Sequence, residues 1–239
     1  IHRVWVDPSN EKLWSGTADE YIHSYHNGIL DTLLHGTDSS YFRITDIVEL
    51  PNKAIVFATE AGLYMKDQSS LKKISTISLA LKSLYIENEE YLWVGGSSFA
   101  YKLPIDSLLN LNLKQNEMIH LAPYGIHKSR VHSIVADGNG NAWMGNNSGL
   151  MYYDGVEKAI KESNHPMLQF SIADMHLQKD ENLLWIATYG GGIMVKHGEK
   201  VKNISTDNGL VSNVCNEIHF GEDGVWVATN QGVVKISDY

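Results

Sequence analysis

Apolar and polar residues alternate in short segments along most of the chain, and one apolar segment built on an aromatic residue returns roughly every 40 residues. In each copy a turn precedes the aromatic segment, and a second turn leads into another apolar segment. The turns are rich in Gly, Asn and Asp, which supply the positive φ angles of tight hairpins. The pattern predicts antiparallel meanders of three or four strands. The repeated aromatics are Trp14, Phe57, Trp93, Trp143, Trp185 and Trp226.

A four-stranded meander cannot protect both of its faces alone, and repetition at this period is the sequence signature of a β-propeller, whose blades stack face to face. The predicted fold class is therefore all-β: a β-propeller with six visible four-stranded repeats, either six-bladed or part of a seven-bladed or larger propeller. The aromatics are expected to pack between blades. The approximate repeats of this single domain are 1–43, 44–80, 81–130, 131–171, 172–213 and 214–239, the last one incomplete.

Two stretches depart from the repeat. Residues 106–119 lie in the longest interval and predict a short helix or an extended insertion between blades. The first residues align with an innermost strand and the last with a third strand, so the sixth repeat lacks an outer strand. We expect flanking sequence outside residues 1–239 to complete the last blade, and the chain to be part of a longer protein.

Composition excludes several classes of function. A chain of 239 residues with 43% hydrophobic and 20% charged content predicts an ordered globular body. The net charge of −9, without a basic stripe, argues against a nucleic-acid partner. No apolar run approaches the roughly 20 residues that span a bilayer, so contact with a membrane is expected only through flanking segments. A single cysteine excludes an internal disulfide framework.

Searches for catalytic and metal-binding patterns yield no candidate. The histidines do not form an H-E-x-x-H motif, and the loop that begins at Asp137 lacks the glycine and glutamate of a calcium-binding loop. The glycines at 190–192 lie between two strands rather than before a helix, so they predict a turn and no phosphate site. Cys215 replaces an apolar strand residue and predicts a buried side chain, not a nucleophile. We expect no catalytic residue, no metal and no cofactor.

Polar residues recur at one register of the innermost strands, each directly before an apolar residue. They predict a ring of polar side chains near the propeller axis. Three interpretations stay open: the ring hydrates the channel or ties neighbouring blades together, it contacts a ligand, or its carboxylates serve an enzyme. The ring residues are Arg3, Asp46, Ser83, Ser133, Asp174 and Glu217.

Loops at one end of the propeller are the other candidate site, because propeller ligands usually meet the channel mouth. Tyr189 lies beside three glycines and predicts an exposed aromatic surface on which a sugar or peptide could stack. The alternative is that these are ordinary turn residues in solvent. The candidate ligand-binding residues are Arg43, Arg130, Asn147, Tyr189, Asn213 and Gln231.

The repeats resemble the two-component regulator propeller repeat. The most similar stretch, residues 208–236, reads NGLVSNVCNEIHFGEDGVWVATNQGVVKI and has the family's NGL-x-S-N opening, acidic-Gly turn, W-[IV]-x-T strand and closing glycine. The fourth and fifth repeats match its second half, whereas the first three are weaker, with Phe57 in place of Trp. Members of this family usually build seven-bladed propellers in the extracytoplasmic sensor region of hybrid two-component proteins.

The resemblance implies a non-catalytic, periplasmic or otherwise extracytoplasmic sensor portion of an inner-membrane receptor. Such a module would detect a small molecule or oligosaccharide, with a glycan fragment as the expected ligand, and would signal through a separate histidine kinase or other output domain, with a possible homodimer. One alternative is a propeller lyase or glycosidase that uses the channel carboxylates. The other is a scaffold whose rim binds a partner protein.

Overall fold

Six consecutive antiparallel sheets make up the computed structural model, which describes residues 3–7, 11–16, 21–34, 43–67, 70–74, 77, 79–110, 118–120 and 129–237. Five sheets have four strands, and the sixth has three. Each sheet is a meander of consecutive strands, which confirms the predicted β-propeller fold class.

The first compact unit, residues 1–120, contains sheets one to three. One short helix, α1 (Ile105–Leu109), follows β11. The strands of this unit are β1 (Arg3–Val6), β2 (Leu13–Gly16), β3 (Tyr21–His26), β4 (Ile29–Leu34), β5 (Ile44–Glu49), β6 (Ile55–Thr59), β7 (Gly62–Lys66), β8 (Leu71–Ile74), β9 (Leu81–Glu87), β10 (Tyr91–Gly96), β11 (Phe99–Pro104) and β12 (Met118–His120).

The second compact unit, residues 121–239, contains sheets four to six. Single 3-10 turns connect some of its strands, at Pro166–Leu168, Lys179–Glu181 and Thr206–Asn208. The strands are β13 (Ser133–Ala136), β14 (Ala142–Asn146), β15 (Gly149–Asp154), β16 (Ala159–Glu162), β17 (Ile172–Gln178), β18 (Leu183–Thr188), β19 (Gly192–His197), β20 (Lys200–Ile204), β21 (Cys215–Gly221), β22 (Gly224–Thr229) and β23 (Gly232–Ile236).

The stretch 106–119 forms more than an insertion between blades. Its beginning lies in helix α1, as one of the two predictions had it, but Met118 and Ile119 lie in β12, the fourth strand of sheet three. Ile119 pairs with Ala100 of β11. The end of this stretch therefore belongs to the blade, and residues 111–117 lie outside the described part.

The polar position of every innermost strand pairs with a small residue of the second strand. At Gly16 an added Cβ would lie 2.4 Å from the Cβ of Ile44 in sheet two, and at Gly145 it would lie 2.4 Å from Cγ2 of Ile172 in sheet five. In sheets one and four a small residue is needed here because the following sheet of the same unit packs directly against this position. The pairs are Arg3 with Gly16, Asp46 with Ala58, Ser83 with Gly95, Ser133 with Gly145, Asp174 with Ala187, and Glu217 with Ala228.

The aromatic position of sheet two is shifted by one residue from the sequence alignment. Trp185 pairs with the residue that lies two positions after Asp174. In sheet two, the partner of the residue two positions after Asp46 is Val56, not Phe57. Phe57 is buried on the other face of its strand, where it meets Trp14 edge-on with ring centroids 5.9 Å apart. The Trp position in this blade is therefore occupied by valine.

Most of the repeated aromatics are core residues, and one is not. Trp93 and Trp185 are fully buried, and Trp14 is 4% exposed, whereas Trp143 is half-buried. Trp226, in the three-stranded sheet, is 38% exposed. The prediction that all six pack in the core is therefore wrong for Trp226.

Candidate functional site

The loops between second and third strands are held by the threonine that ends the aromatic strand. The hydroxyl of Thr59 donates to the carbonyl of Gly62 at 2.7 Å and accepts from the N–H of Ala61 at 3.0 Å. Thr188 makes the same pair of bonds across its loop, to the carbonyl of Gly192 at 2.7 Å and from the N–H of Gly191 at 3.0 Å. This pairing explains why Thr recurs in the motif, and it gives the candidate residues in these loops a fixed backbone.

The Tyr189 loop is also fixed from outside its own hairpin. The N–H of Tyr189 donates to the carbonyl of Ser171 at 2.8 Å. The N–H groups of Gly190 and Gly192 both donate to the carbonyl of Asn213 at 2.9 Å. Two of the predicted ligand-binding residues, Tyr189 and Asn213, are thus brought together where the connections into β17 and β21 meet the hairpin.

The side chain of Asn213 is engaged within the protein. Its Oδ1 accepts from the N–H of Thr206 at 2.8 Å, and its Nδ2 donates to the hydroxyl of Thr206 at 3.2 Å. Asn213 therefore positions the connection between β20 and β21. The exposed side chain at this place is Tyr189, which is 48% accessible to solvent.

Phe170 is a neighbour of Tyr189 that the sequence analysis missed. An added Cβ at Gly191 would lie 2.7 Å from Cδ2 of Phe170, so the phenyl ring covers this glycine. Phe170 is 40% exposed, and Val211, in the connection that leads to Asn213, is 49% exposed. We call Phe170, Tyr189 and Val211 the Tyr189 surface. The glycine triplet was its sequence signal, because Gly191 leaves the space that Phe170 occupies.

The other predicted residues of the second unit are dispersed turn positions. Asn147 is exposed, and its Oδ1 lies 2.6 Å from Nε2 of His132. Arg130, which lies two residues before His132, is also exposed. Gln231 is exposed in the turn of sheet six, where its N–H donates to the hydroxyl of Thr229 at 3.1 Å. None of these contacts joins them to the Tyr189 surface.

In the first unit, Arg43 belongs to a small charged cluster. Its Nη1 lies 3.9 Å from Oε1 of Glu60, in the hairpin loop of sheet two, and Nζ of Lys82 lies 2.9 Å from the same oxygen. The Arg43 side chain is 45% exposed, whereas that of Lys82 is 12% exposed. Lys82 was not among the predicted residues, because it precedes Ser83 on β9 without any motif of its own.

Three of the inner polar residues accept hydrogen bonds from backbone N–H groups of the next blade. The Oδ2 of Asp46 accepts from the N–H of Leu84 in the next blade at 2.7 Å. In the second unit the hydroxyl of Ser133 accepts from Met175 N–H, and Oδ2 of Asp174 accepts from Ile218 N–H, both at 3.0 Å. Each acceptor thus binds the amide that directly follows the polar position of the next blade.

The remaining members of this ring behave differently. Ser83 is buried at 3% exposure, whereas Glu217, in the sixth blade, is exposed. The side chain of Arg3 lies outside the described part of the structure. Because Asp46 and Asp174 accept backbone N–H groups of the next blade, their carboxylates join neighbouring blades.

Metal ligands and reactive thiols were sought among the described side chains. No group of three or more His, Cys, Asp and Glu side chains within them could hold a metal ion. Cys215 is buried, and burial raises the pKa of its thiol to about 11, so it stays protonated near neutral pH. A protonated, buried thiol is a poor nucleophile.

Comparison with solved structures identifies propellers with several different roles. The chain aligns over 98% of its length with PorZ, a bacterial surface component of the type-IX secretion system of Porphyromonas gingivalis, at 16% identity and a TM-score of 0.73. It aligns over 98% with the extracellular domain of the hybrid two-component system BT3049 from B. thetaiotaomicron, at 18% identity and a TM-score of 0.73. The chain spans 38% and 32% of the lengths of these two proteins.

An enzyme has the same fold. A catalytically inactive variant of virginiamycin B lyase from Staphylococcus aureus, solved with quinupristin, aligns over 96% of this chain and 77% of its own, at 12% identity and a TM-score of 0.72. No protein-family model and no curated protein sequence matches the chain. At these identities the similarity establishes the propeller fold and leaves function to the site.

Within the described residues there is no helix with both the length and the apolar character to cross a bilayer.

Proposed function

We propose that this chain is a non-catalytic, ligand-sensing propeller from the extracytoplasmic portion of a two-component-type receptor, with its output in a separate domain. The observation that carries the proposal is the Tyr189 surface, a set of exposed aromatic and aliphatic side chains on backbone that is fixed by hydrogen bonds between three segments. The extracellular domains of hybrid two-component systems among the structural neighbours support this assignment.

The ligand class follows from the chemistry of this surface. Aromatic rings present apolar faces to the C–H groups of a sugar ring, and a fixed backbone reduces the entropy that is lost on binding. Tyr189 also has a hydroxyl that can hydrogen-bond to a sugar or peptide. We therefore propose a glycan fragment as the ligand, bound against Tyr189 and Phe170.

An enzymatic role is the second candidate, because lyase propellers share the fold. It would require an acid and a base converging on one site. Asp46 and Asp174 are both committed to backbone amides of neighbouring blades. A sensor that returns its ligand unchanged accounts for these carboxylates better. A protein-binding rim would instead predict partner capture without a small-molecule ligand.

The test is a glycan panel measured by isothermal titration calorimetry, with wild type and the variant Tyr189→Ala. Loss of ring stacking predicts about a 10-fold weaker binding of any glycan that the wild type binds. Tyr25→Ala is the matched control, because Tyr25 is 49% exposed on sheet one and belongs to the other unit. Equal losses in both variants, or binding by neither protein across the panel, would refute the proposal.

A further inference from the structure

Three Asn–Gly pairs lie in this chain, and the structure holds each of them differently. An asparagine followed by glycine can lose its side-chain amide without an enzyme, because the glycine nitrogen can reach the side-chain carbonyl carbon with no Cβ in the way. The three asparagines are therefore similar by sequence and are distinguished by their surroundings. The pairs are Asn27 with Gly28, Asn139 with Gly140, and Asn208 with Gly209.

The side chain of Asn208 is held at both ends of its amide. Its Oδ1 accepts from the N–H of Ser205 at 2.6 Å, and its Nδ2 donates to the carbonyl of Asn203 at 3.1 Å. The first of these bonds belongs to the capping box of the 3-10 turn Thr206–Asn208. Both bonds have to break before the nitrogen of Gly209 can reach Cγ of Asn208.

The backbone of Asn27 is held by a tight hairpin. Asn27 and Gly28 form the two-residue turn between β3 and β4, directly beside the paired residues His26 and Ile29. Both turn residues have positive φ angles, 50° and 79°. Nδ2 of Asn27 also lies 2.9 Å from Nε2 of His26. The strand pairs therefore oppose the change of backbone angles that would bring the Gly28 nitrogen to the side chain.

Asn139 has neither restraint. It is exposed in the connection between β13 and β14, where residues 138–140 form a bend between the paired residues Ala136 and Ala142. Within the described part of the chain, no residue forms a hydrogen bond with its side-chain amide. A Cβ added at Gly140 would have no atom within 4 Å, so the space around this glycine is open. The amide of Asn139 is therefore free to turn toward the Gly140 nitrogen.

We propose that Asn139 is a site of spontaneous deamidation and that the fold protects Asn27 and Asn208 from the same reaction. The backbone nitrogen of Gly140 attacks Cγ of Asn139 and gives up its proton, and the side-chain nitrogen leaves with that proton as ammonia. The product is a cyclic imide. Water then adds across one of the two C–N bonds of the imide, which yields aspartate or isoaspartate at position 139. The reaction needs no oxidant and no co-reactant other than water.

The product changes a loop that the rest of blade four depends on. Oδ1 of Asp137 accepts from the N–H of Asn139 at 2.7 Å, so a carboxylate at position 139 adds a like charge beside Asp137. An added Cβ at Gly155 would collide with the carbonyl oxygen of Gly140, so the loop packs closely against the turn after β15. Isoaspartate inserts a methylene group into the backbone directly before Gly140. Both products lower the formal net charge of −9 by one.

The test incubates the whole chain at pH 8, with and without urea, and follows each Asn–Gly peptide by mass spectrometry. In the folded protein we expect Asn139 to react first, about 10-fold or more faster than Asn208, because two hydrogen bonds protect Asn208. In urea the three rates should come within about 3-fold of one another, since the folded surroundings are lost. A faster reaction at Asn27 or Asn208 in the folded protein, or the same ranking in urea, would overturn the inference.

Two variants identify the source of the acidic product by ion-exchange chromatography. Asn139→Gln is expected to remove the early acidic species. Asn182→Gln is the matched control and should retain it, because Asn182 is exposed in the same unit and precedes Leu183 rather than a glycine. Circular dichroism verifies that both variants fold. An acidic species that persists in Asn139→Gln, or that disappears in Asn182→Gln, would contradict the assignment to Asn139.

Discussion

At the scale of single residues, threonine hydroxyls fix the hairpin loops of this propeller through hydrogen bonds to the backbone. Thr188 is 1% exposed and both donates and accepts within its hairpin, whereas Thr229 makes the equivalent bonds in a half-exposed turn. The cost of removing a hydroxyl therefore depends on whether water can replace it.

Thr188→Val is expected to lower the free energy of unfolding by about 1–3 kcal/mol, because the N–H of Gly191 loses its buried acceptor. Urea denaturation measures this change. Thr229→Val is the matched control and should cost clearly less, since solvent reaches its turn. A larger loss in Thr229→Val than in Thr188→Val would contradict the argument.

Cys215 gives a second prediction at this scale. Its raised pKa of about 11 keeps the thiol protonated, and its side chain is fully buried. The folded protein should therefore react with a disulfide reagent at pH 8 far more slowly than the protein in urea, with a rate set by unfolding. Rapid modification of the native protein would show that the thiol is accessible.

The sequence predicted the general position of these residues but not their contacts. Repetition placed threonine at the end of the aromatic strands, and the hairpin turns followed from Gly and Asn. Phe170 was missed because it lies in an irregular connection without periodicity. Phe57 was misaligned because all of β6 is buried on both faces, so the two-residue alternation that sets register disappears.

At the scale of the element, neighbouring blades are joined by hydrogen bonds as well as by apolar packing. In the second unit, Asp174 receives the Ile218 N–H and the Ser133 hydroxyl from the blades on its two sides. These contacts span 44 and 41 positions in sequence. The sequence pattern of each strand predicts where the polar residue lies. It does not distinguish the three interpretations, because the hydrogen-bond partners belong to different sheets and meet only when the sheets pack.

Asp174→Ala is expected to destabilise the second unit by about 1–3 kcal/mol, since Ile218 N–H loses its acceptor. Asp174→Asn should recover most of this loss, because its amide oxygen can still accept from Ile218 and its NH2 group can donate to Ser133. Thermal unfolding of the three proteins measures both effects. If the asparagine variant were as unstable as alanine, charge rather than hydrogen bonding would be responsible.

His176 links this packing to pH. Its imidazole stacks on Phe220 with ring centroids 4.2 Å apart, and its pKa is lowered, chiefly by partial desolvation and also by nearby His219. As pH falls, His176 is therefore protonated in the unfolded chain at a higher pH than in the folded protein. Stability should decline with decreasing pH below the ordinary histidine pKa of about 6.5.

The melting temperature measured from pH 7.5 to 5 checks this. A His176→Gln variant should lose part of the dependence on pH, whereas a variant with an unchanged profile would assign it to other groups.

At the scale of the whole molecule, six related sheets provide the scaffold, and the differences between copies provide the candidate site. The fold class could be predicted because every blade repeats the same strand and turn pattern. The Tyr189 surface could be predicted only in part, since it combines one hairpin with two irregular connections. The neighbours include a secretion component, extracellular domains of two-component systems and lyases, so the fold itself is compatible with several functions.

The central claim is that the Tyr189 surface binds a ligand without converting it. The most direct measurement is hydrogen exchange by mass spectrometry with and without a bound glycan, followed by the mass of the recovered glycan. We predict protection in residues 166–171, 188–192 and 209–214 and an unchanged glycan mass. Protection centred on Asp46, Asp174 and Glu217, or a glycan of altered mass, would contradict the account.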